Sequence, residues 1–214
     1  MSLQLVLASN NAKKLAELGA LFAPVGVSLV RQGDLGVVEA EEPHHTFIEN
    51  ALAKARHAAR ATGLPAIADD SGLCVSALGG QPGVVSSHYA AADLVATDGR
   101  EVQRGVQDAA NNARLLRELQ GVADRRAAFF CTLVALRSAE DPEPLIACGR
   151  WQGEILQAPS GEGGFGYDPL MFIPAFGATV ATLAPEVKNA HSHRALAAAQ
   201  MRALMREVWH LGAA

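Results

Sequence analysis

Cysteine is scarce: the 214 residues hold only Cys74, Cys131 and Cys148, an odd number, far apart and without a C-x-x-C spacing. That excludes a disulfide framework and points to reduced, mostly buried thiols in a cytoplasmic protein. An excess of positive charge is also missing. The formal net charge of −4 gives no global attraction for a nucleic acid polymer or an anionic membrane surface. An anionic ligand must therefore be held by a local basic cluster. No apolar run approaches the roughly 20 residues that a membrane helix needs. Met1-Ser2-Leu3-Gln4 lacks a basic region followed by an apolar core, so no signal peptide is expected. Internal repeats and linker-like composition breaks are absent too. What is present is a chain half hydrophobic and only 19% charged, the balance of a compact globular protein. One α/β domain over residues 1–214 is the expected organisation.

The apolar run 3–8 reads as a buried strand, followed by Leu15, Leu18 and Leu21-Phe22 at helical spacing. Residues 27–30 form a second short strand that leads into the acidic loop Glu39-Ala40-Glu41-Glu42-Pro43. Thr46-Phe47-Ile48-Glu49 has capping-box form and opens an alanine-rich helix to about Thr62, stopped by Gly63 and Pro65. Ala66-Ile67-Ala68 starts a strand expected to end at Asp69-Asp70-Ser71-Gly72. Residues 79–99 read as loop. Residues 101–119 read as helix, with Val102, Val106, Ala109, Ala110 and Ala113 along one face. Two longer strands, 127–136 and 145–156, turn near Asp141. A glycine-rich loop, 161–169, precedes another strand. Ser192 or a neighbour opens a last helix to about Leu211.

Four clusters carry chemistry. Ser9-Asn10-Asn11-Ala12-Lys13-Lys14 lies at a strand-to-helix turn, where free N–H groups and the helix dipole favour phosphate. Lysines in a first turn oppose that dipole unless an anion is bound; otherwise Ser9 or Asn11 simply caps the helix. The acidic loop and Asp69-Asp70 form the second cluster. Magnesium needs one or two carboxylates plus water and phosphate oxygens; a solvated loop and an Asx turn are the plainer alternatives. Thr46 makes capping the expected role of Glu49.

The third cluster, Gly161-Glu162-Gly163-Gly164-Phe165-Gly166, matches G-x-G-x-x-G, but no helix follows, which argues against dinucleotide binding. It remains a permissive loop whose aromatics either stack on a base or anchor in the core. The fourth, Lys188-Asn189-Ala190-His191-Ser192-His193-Arg194, places cations at the expected start of the last helix. Arg and His can donate to O6 and N7 of a 6-oxopurine. His191-x-His193 lacks a nearby third ligand for zinc.

Together these segments resemble the inosine triphosphate/xanthosine triphosphate pyrophosphatase family over nearly the whole chain. The resemblance rests on Ser9-Asn10-Asn11 with Lys14, on Thr46-Phe47-Ile48-Glu49-Asn50-Ala51 and on Ala68-Asp69-Asp70-Ser71-Gly72-Leu73. It continues in Gly163-Gly164-Phe165-Gly166-Tyr167-Asp168-Pro169 and Ser192-His193-Arg194. It implies an elongated, mixed, twisted sheet with flanking helices, in two lobes around a central cleft, and a homodimer. By the same resemblance Ser9, Asn10, Asn11, Ala12, Lys13 and Lys14 bind the triphosphate, with Lys14 foremost. Glu41 and Asp70 bind Mg2+, and Asp70 is the proton acceptor. Ser71 touches substrate, and Phe165, Gly166, Tyr167, Asp168, Lys188, His193 and Arg194 bind the nucleoside. Lys13 and His88 depart from the usual family residues, and the segment 90–111 looks long.

The implied reaction is hydrolysis of ITP, dITP or XTP to the monophosphate and pyrophosphate. Inosine and xanthosine present an O6 acceptor where adenosine presents a donor, and mismatched buried groups cost about 1–3 kcal/mol each. A related pyrophosphatase acting on dTTP, UTP or modified pyrimidines is the nearest alternative. A non-catalytic nucleotide-binding module and an NAD-linked oxidoreductase are more distant ones.

Overall fold

A computed structural model describes residues 3–90 and 100–211, with side chains from residue 104 in the second span. Part of the expected loop 79–99, and Val102 in the expected helix, lie outside that description. Seven strands form one sheet in the order β2-β1-β3-β4-β5-β6-β7. They are β1 (Leu3–Leu7), β2 (Val27–Arg31), β3 (Ala66–Val75), β4 (Arg126–Leu136), β5 (Leu145–Ile155), β6 (Met171–Ile173) and β7 (Ala178–Thr179). The sheet is mixed: β1 pairs in parallel with β2 and β3, whereas β6 pairs antiparallel with β5 and β7. The helices are α1 (Ala12–Phe22), α2 (Phe47–Thr62), α3 (Arg100–Glu118), α4 (Pro185–His191) and α5 (His193–Val208). No helix among the described residues is long and apolar enough to cross a membrane.

The chain divides into two compact units, residues 1–71, 131–150 and 189–214 in the first and residues 72–130 and 151–188 in the second. In the first unit, the parallel pair β1 and β2 is joined through α1, the crossover that parallel strands require. Leu5, Leu7, Leu18, Phe22, Ile67, Leu133 and Met201 are fully buried in one core cluster. Each such side chain contributes roughly 1.5–3 kcal/mol. A second cluster is built from small residues, with Ala51, Ala55 and Ala58 of α2 packed with Ala66, Ala68 and Val134. Thr46 caps α2, its Oγ1 accepting from the Glu49 amide at 3.3 Å and donating to the Glu49 carboxylate at 2.6 Å. Gly63, at φ +69°, ends the helix in a left-handed turn.

The second unit has its own core of Leu73, Leu115, Leu119, Trp151, Leu170 and Met171. Here α3 buries Asn111 and Leu115, on the side of the helix opposite the expected stripe, whose Val106, Ala109 and Ala113 are exposed. Val106 is 39% exposed. Two further expectations change. β3 does not end at Asp69-Asp70 but runs on to Val75. Lys188 lies in a separate short helix, α4, before the last helix begins at His193.

Candidate active site

The turn from β1 into α1 is organised by side chains rather than by glycine. Asn11 is the cap, its Oδ1 accepting from the amides of Lys13 at 2.9 Å and Lys14 at 3.3 Å. Ser9 Oγ supports it by accepting from the Asn11 amide at 3.2 Å. Asn10 Oδ1 is buried with no hydrogen-bond partner among the described residues. Ala12 and Lys13 are exposed, whereas Lys14 turns inward and pairs its Nζ with Asp69 Oδ1.

Asp69 is the hub of a buried network. Its Oδ2 accepts from Ser71 Oγ at 2.6 Å, Arg194 Nε at 3.2 Å and Cys131 Sγ at 3.3 Å. Arg194 also pairs with Glu17 of α1 at 3.4 Å. Burial alone would raise the Asp69 carboxyl's pKa. The charges of Lys14 and Arg194, with hydrogen bonds from Lys14 and Ser71, prevail and hold it well below the usual range. Burial, then the neighbouring carboxylate, pushes the Cys131 thiol well above its ordinary pKa. Ser192 caps α5 by accepting from the Ala195 amide at 3.2 Å, which fixes the buried pair His193 and Arg194 in its first turn.

Successive residues of a strand project to opposite sides. Asp69 therefore turns toward α1 and α5, and Asp70 toward α2. Asp70 Oδ1 accepts from Lys54 Nζ at 2.8 Å, and the same ammonium lies 3.3 Å from Glu42 Oε2. Asp70 Oδ2 is buried with no partner among the described residues. Burial pushes the Asp70 carboxyl up to about 6; Lys54 opposes the shift, and the charges of Glu42 and Asp69 add to it. Burial works against the Lys54 ammonium, but Asp70 and Glu42 outweigh it and raise its pKa. Glu41 is exposed, and among the described residues no group of three or more His, Cys, Asp or Glu side chains gathers as a metal cage.

In the second unit, the glycine loop is pinned by Asp168, which is 4% exposed. Its Oδ2 accepts from Lys188 Nζ at 2.7 Å and from the Phe165 amide at 3.0 Å. Lys188 Nζ also sits 4.7 Å from the centre of the Phe165 ring. Gly164 has φ +79°, and a side chain there would overlap the Asp168 carboxylate. Tyr167 is a core residue: its ring is buried and its hydroxyl donates to Ser86 O at 2.9 Å. Phe165, the other loop aromatic, is half-buried. The Gly166 peptide is held by two side chains of α3, Asp108 and Asn112.

Of the residues singled out in the sequence, Lys14, Ser71 and Arg194 gather about Asp69 in the first unit, with His193 beside Arg194, whereas Asp70 projects to the other side of β3 and meets Lys54. Phe165, Gly166, Tyr167, Asp168 and Lys188 gather in the second. Lys54, Glu17, Asp108 and Asn112 escaped notice. Lys54 had a signal: it occupies the buried stripe of α2, between Ala51 and Ala55, where an unpaired lysine would be costly.

The sheet order and flanking helices define an α/β protein of the Ham1 type. The chain belongs to the Ham1 family, whose model matches residues 5–204. It is 72% identical over 211 residues to the dITP/XTP pyrophosphatase of Leptothrix cholodnii, covering 98% of this chain and all of that one. Its identity to the dITP/XTP pyrophosphatase of Methylibium petroleiphilum is 70% over 207 residues, 97% of this chain and 99% of that one. Among solved structures, a HAM1 protein from Coxiella burnetii matches with a TM-score of 0.84 and 42% identity over 96% of this chain and 100% of that chain. The Staphylococcus aureus Ham1 protein matches with a TM-score of 0.80 and 35% identity over 95% and 98%.

Proposed function

We propose that the protein hydrolyses deaminated purine nucleoside triphosphates, ITP, dITP and XTP, to the monophosphate and pyrophosphate, with Mg2+ as cofactor. The names of its relatives support the substrate class. The observation that carries the chemistry is the buried Asp70 carboxylate, which engages Lys54 through one oxygen and leaves the other without a partner among the described residues.

That open oxygen fits a hard cation, which takes oxygen donors and retains water and phosphate oxygens around one or two carboxylates. Asp70 would hold it together with Glu41, whose carboxylate is exposed and free to turn, while Glu42 is tied to Lys54. Bound Mg2+ would neutralise charge on the phosphate oxygens. Lys14, the positive end of the α1 dipole, and Ser71 bind and align the phosphate chain. Asp70 Oδ2 accepts a proton from the attacking water. The water oxygen bonds to the α-phosphorus, the bond from that phosphorus to the bridging oxygen breaks, and pyrophosphate leaves.

Arg194, His193, Lys188 and the Phe165–Asp168 segment bind the nucleoside in this reading, with Phe165 stacking on the base. Arg194 donates to O6, which an adenine cannot accept. The reading extends to a cytoplasmic homodimer, and the free thiols of Cys74, Cys131 and Cys148 suit a reducing compartment. Pyrophosphate release should be measured with ITP, XTP, GTP, ATP and dTTP, with and without Mg2+. Release should favour ITP and XTP and require the metal; equal turnover of dTTP, or full activity in chelator, would sink the reading.

A further inference from the structure

Gly166 is placed among the nucleoside-binding positions, yet little in its surroundings holds it. Its φ is +61°, and a side chain added there would meet nothing within 4 Å. Glycine has the most backbone freedom to lose on ordering, so packing does not explain a fixed peptide at this point. Two hydrogen bonds do. The Gly166 amide donates to Asp108 Oδ2 at 2.8 Å, and Asn112 Nδ2 donates to the Gly166 carbonyl at 2.9 Å. Asp108 and Asn112 are four residues apart on α3, the spacing that places two side chains on one helix face. They grip the donor and the acceptor of a single residue.

The helix that carries them is itself anchored. Asn111, 2% exposed, accepts from the Ala90 amide at 2.7 Å and donates to the carbonyls of Ser86 and Ser87 at 3.2 Å each. Leu115 buries the next turn, and Leu119, just past the helix end, is buried as well. The clamp therefore stands on a rigid support. Asn112 holds its position although its own Oδ1 is buried without a partner among the described residues. An apolar residue would avoid that cost, and the bond to Gly166 is what offsets it. With the amides of Phe165 and Gly166 bound to Asp168 and Asp108, the loop has few ways to rearrange around a base.

We propose that Asp108 and Asn112 are positioning residues that set base specificity by fixing the Gly166 peptide. The inference rests on the nucleotide-hydrolysis reading above and adds two residues to it. A base edge is discriminated only when the groups that meet it are held still; a loop free to turn its peptides adapts to the wrong base as readily as to the right one. Loosening the clamp should therefore weaken ITP binding and blur discrimination, while leaving phosphate chemistry largely intact.

The test is steady-state pyrophosphate release from ITP and GTP by wild-type protein, Asn112→Leu, Asp108→Ala and Asp108→Asn. Asn112→Leu keeps the bulk and removes the donor. It should raise KM for ITP about tenfold, leave kcat within about threefold, and lower the ITP-to-GTP ratio of kcat/KM about tenfold. Asp108→Ala should behave likewise, whereas Asp108→Asn retains an acceptor oxygen and should stay within about threefold of wild type. If Asp108→Ala fails to fold, the comparison of Asn112→Leu with Asp108→Asn decides. Unchanged KM and an unchanged ratio in Asn112→Leu would overturn the proposal alone, as would a fall in kcat shared by both nucleotides with KM unmoved. Wild-type protein that releases no pyrophosphate from ITP would remove the functional reading and this inference together.

Discussion

Arg194 donates its Nε to Asp69 Oδ2 across 3.2 Å, joining residues 125 positions apart in the sequence. The other carboxylate oxygen is taken by Lys14, so one buried anion is shared by the cation at the start of α1 and the cation at the start of α5. Asp69→Asn would take from Arg194, 4% exposed, the carboxylate that meets its Nε, leaving the looser pair with Glu17 at 3.4 Å. Breaking a buried pair from one side costs roughly 3–5 kcal/mol. At about 2–4 °C per kcal/mol for a chain of this size, Tm should fall by roughly 6–20 °C. Because the Asp69 pKa is depressed, its stabilisation is present above about pH 4 and is lost as pH falls through the folded value. The Tm gap between wild type and variant should therefore close in acid. A gap that did not narrow at all as the pH is lowered to the acid limit of folding would show that the ion pairs contribute little.

Asp70 titrates in the opposite sense. Its pKa is raised to about 6, so in the unliganded protein its stabilising contribution is present below about pH 4 and is lost as pH rises through about 6. A cation binds the deprotonated carboxylate and competes with the proton. Mg2+ should therefore stabilise the protein more at pH 8 than at pH 5, and its apparent affinity should fall by up to about tenfold per unit below pH 6. Asp70→Asn should abolish that pH dependence and cut turnover of ITP by at least ~100-fold. Equal thermal shifts with Mg2+ at both pH values would remove Asp70 from the metal site.

Lys54 sits between two carboxylates, 2.8 Å from Asp70 and 3.3 Å from Glu42. Its charge opposes the upward shift that burial imposes on Asp70. Lys54→Met removes that opposition and leaves Glu42 and Asp69 to repel the Asp70 anion. The acid limb of the ITP profile should move to higher pH, with kcat/KM at pH 7 down about tenfold or more. Lys54→Arg keeps the charge and should hold the limb near its original position. An unmoved limb in Lys54→Met would mean that the lysine serves packing alone.

The local signals in the sequence were legible because local chemistry decides them. Thr46 caps the helix it was expected to cap, and Ser192 is the one of its neighbourhood that caps the last helix, since each cap needs only an amide a few residues ahead. The turn after residue 169 leads into a strand, β6, as the apolar run 170–173 implied. What failed was decided at a distance. Asp69-Asp70-Ser71-Gly72 has turn chemistry, yet β3 continues through it because Lys14, Lys54 and Arg194, remote in sequence, satisfy the carboxylates. The short helix α4 buries none of its residues and so leaves no periodic trace. Phe165 and Tyr167 looked interchangeable, and burial together with the hydrogen bond from Tyr167 to Ser86 separates the core aromatic from the loop one.

Gly149 ties β5 to the first turn of α5, where His193 and Arg194 lie. A Cβ at this position would overlap the His193 carbonyl oxygen and stand 2.6 Å from the Ala197 amide nitrogen. Both obstacles are helix backbone, which cannot swing aside as a long side chain could. Gly149→Ala must therefore push the start of α5 away from the strand or bend β5, an overpacking that costs roughly 1–3 kcal/mol or more. Arg194 travels with the helix, so its 3.2 Å bond to Asp69 stretches in the same motion. The expected outcome is a Tm lower by roughly 2–12 °C, from about 2–4 °C per kcal/mol, together with a raised KM for ITP. Gly19, on α1 with open space around it, supplies the control: Gly19→Ala replaces a poor helix former and should stabilise by up to about 1 kcal/mol. If Gly149→Ala instead matched Gly19→Ala in Tm and left KM untouched, the close approach of β5 to α5 would have no part in holding Arg194.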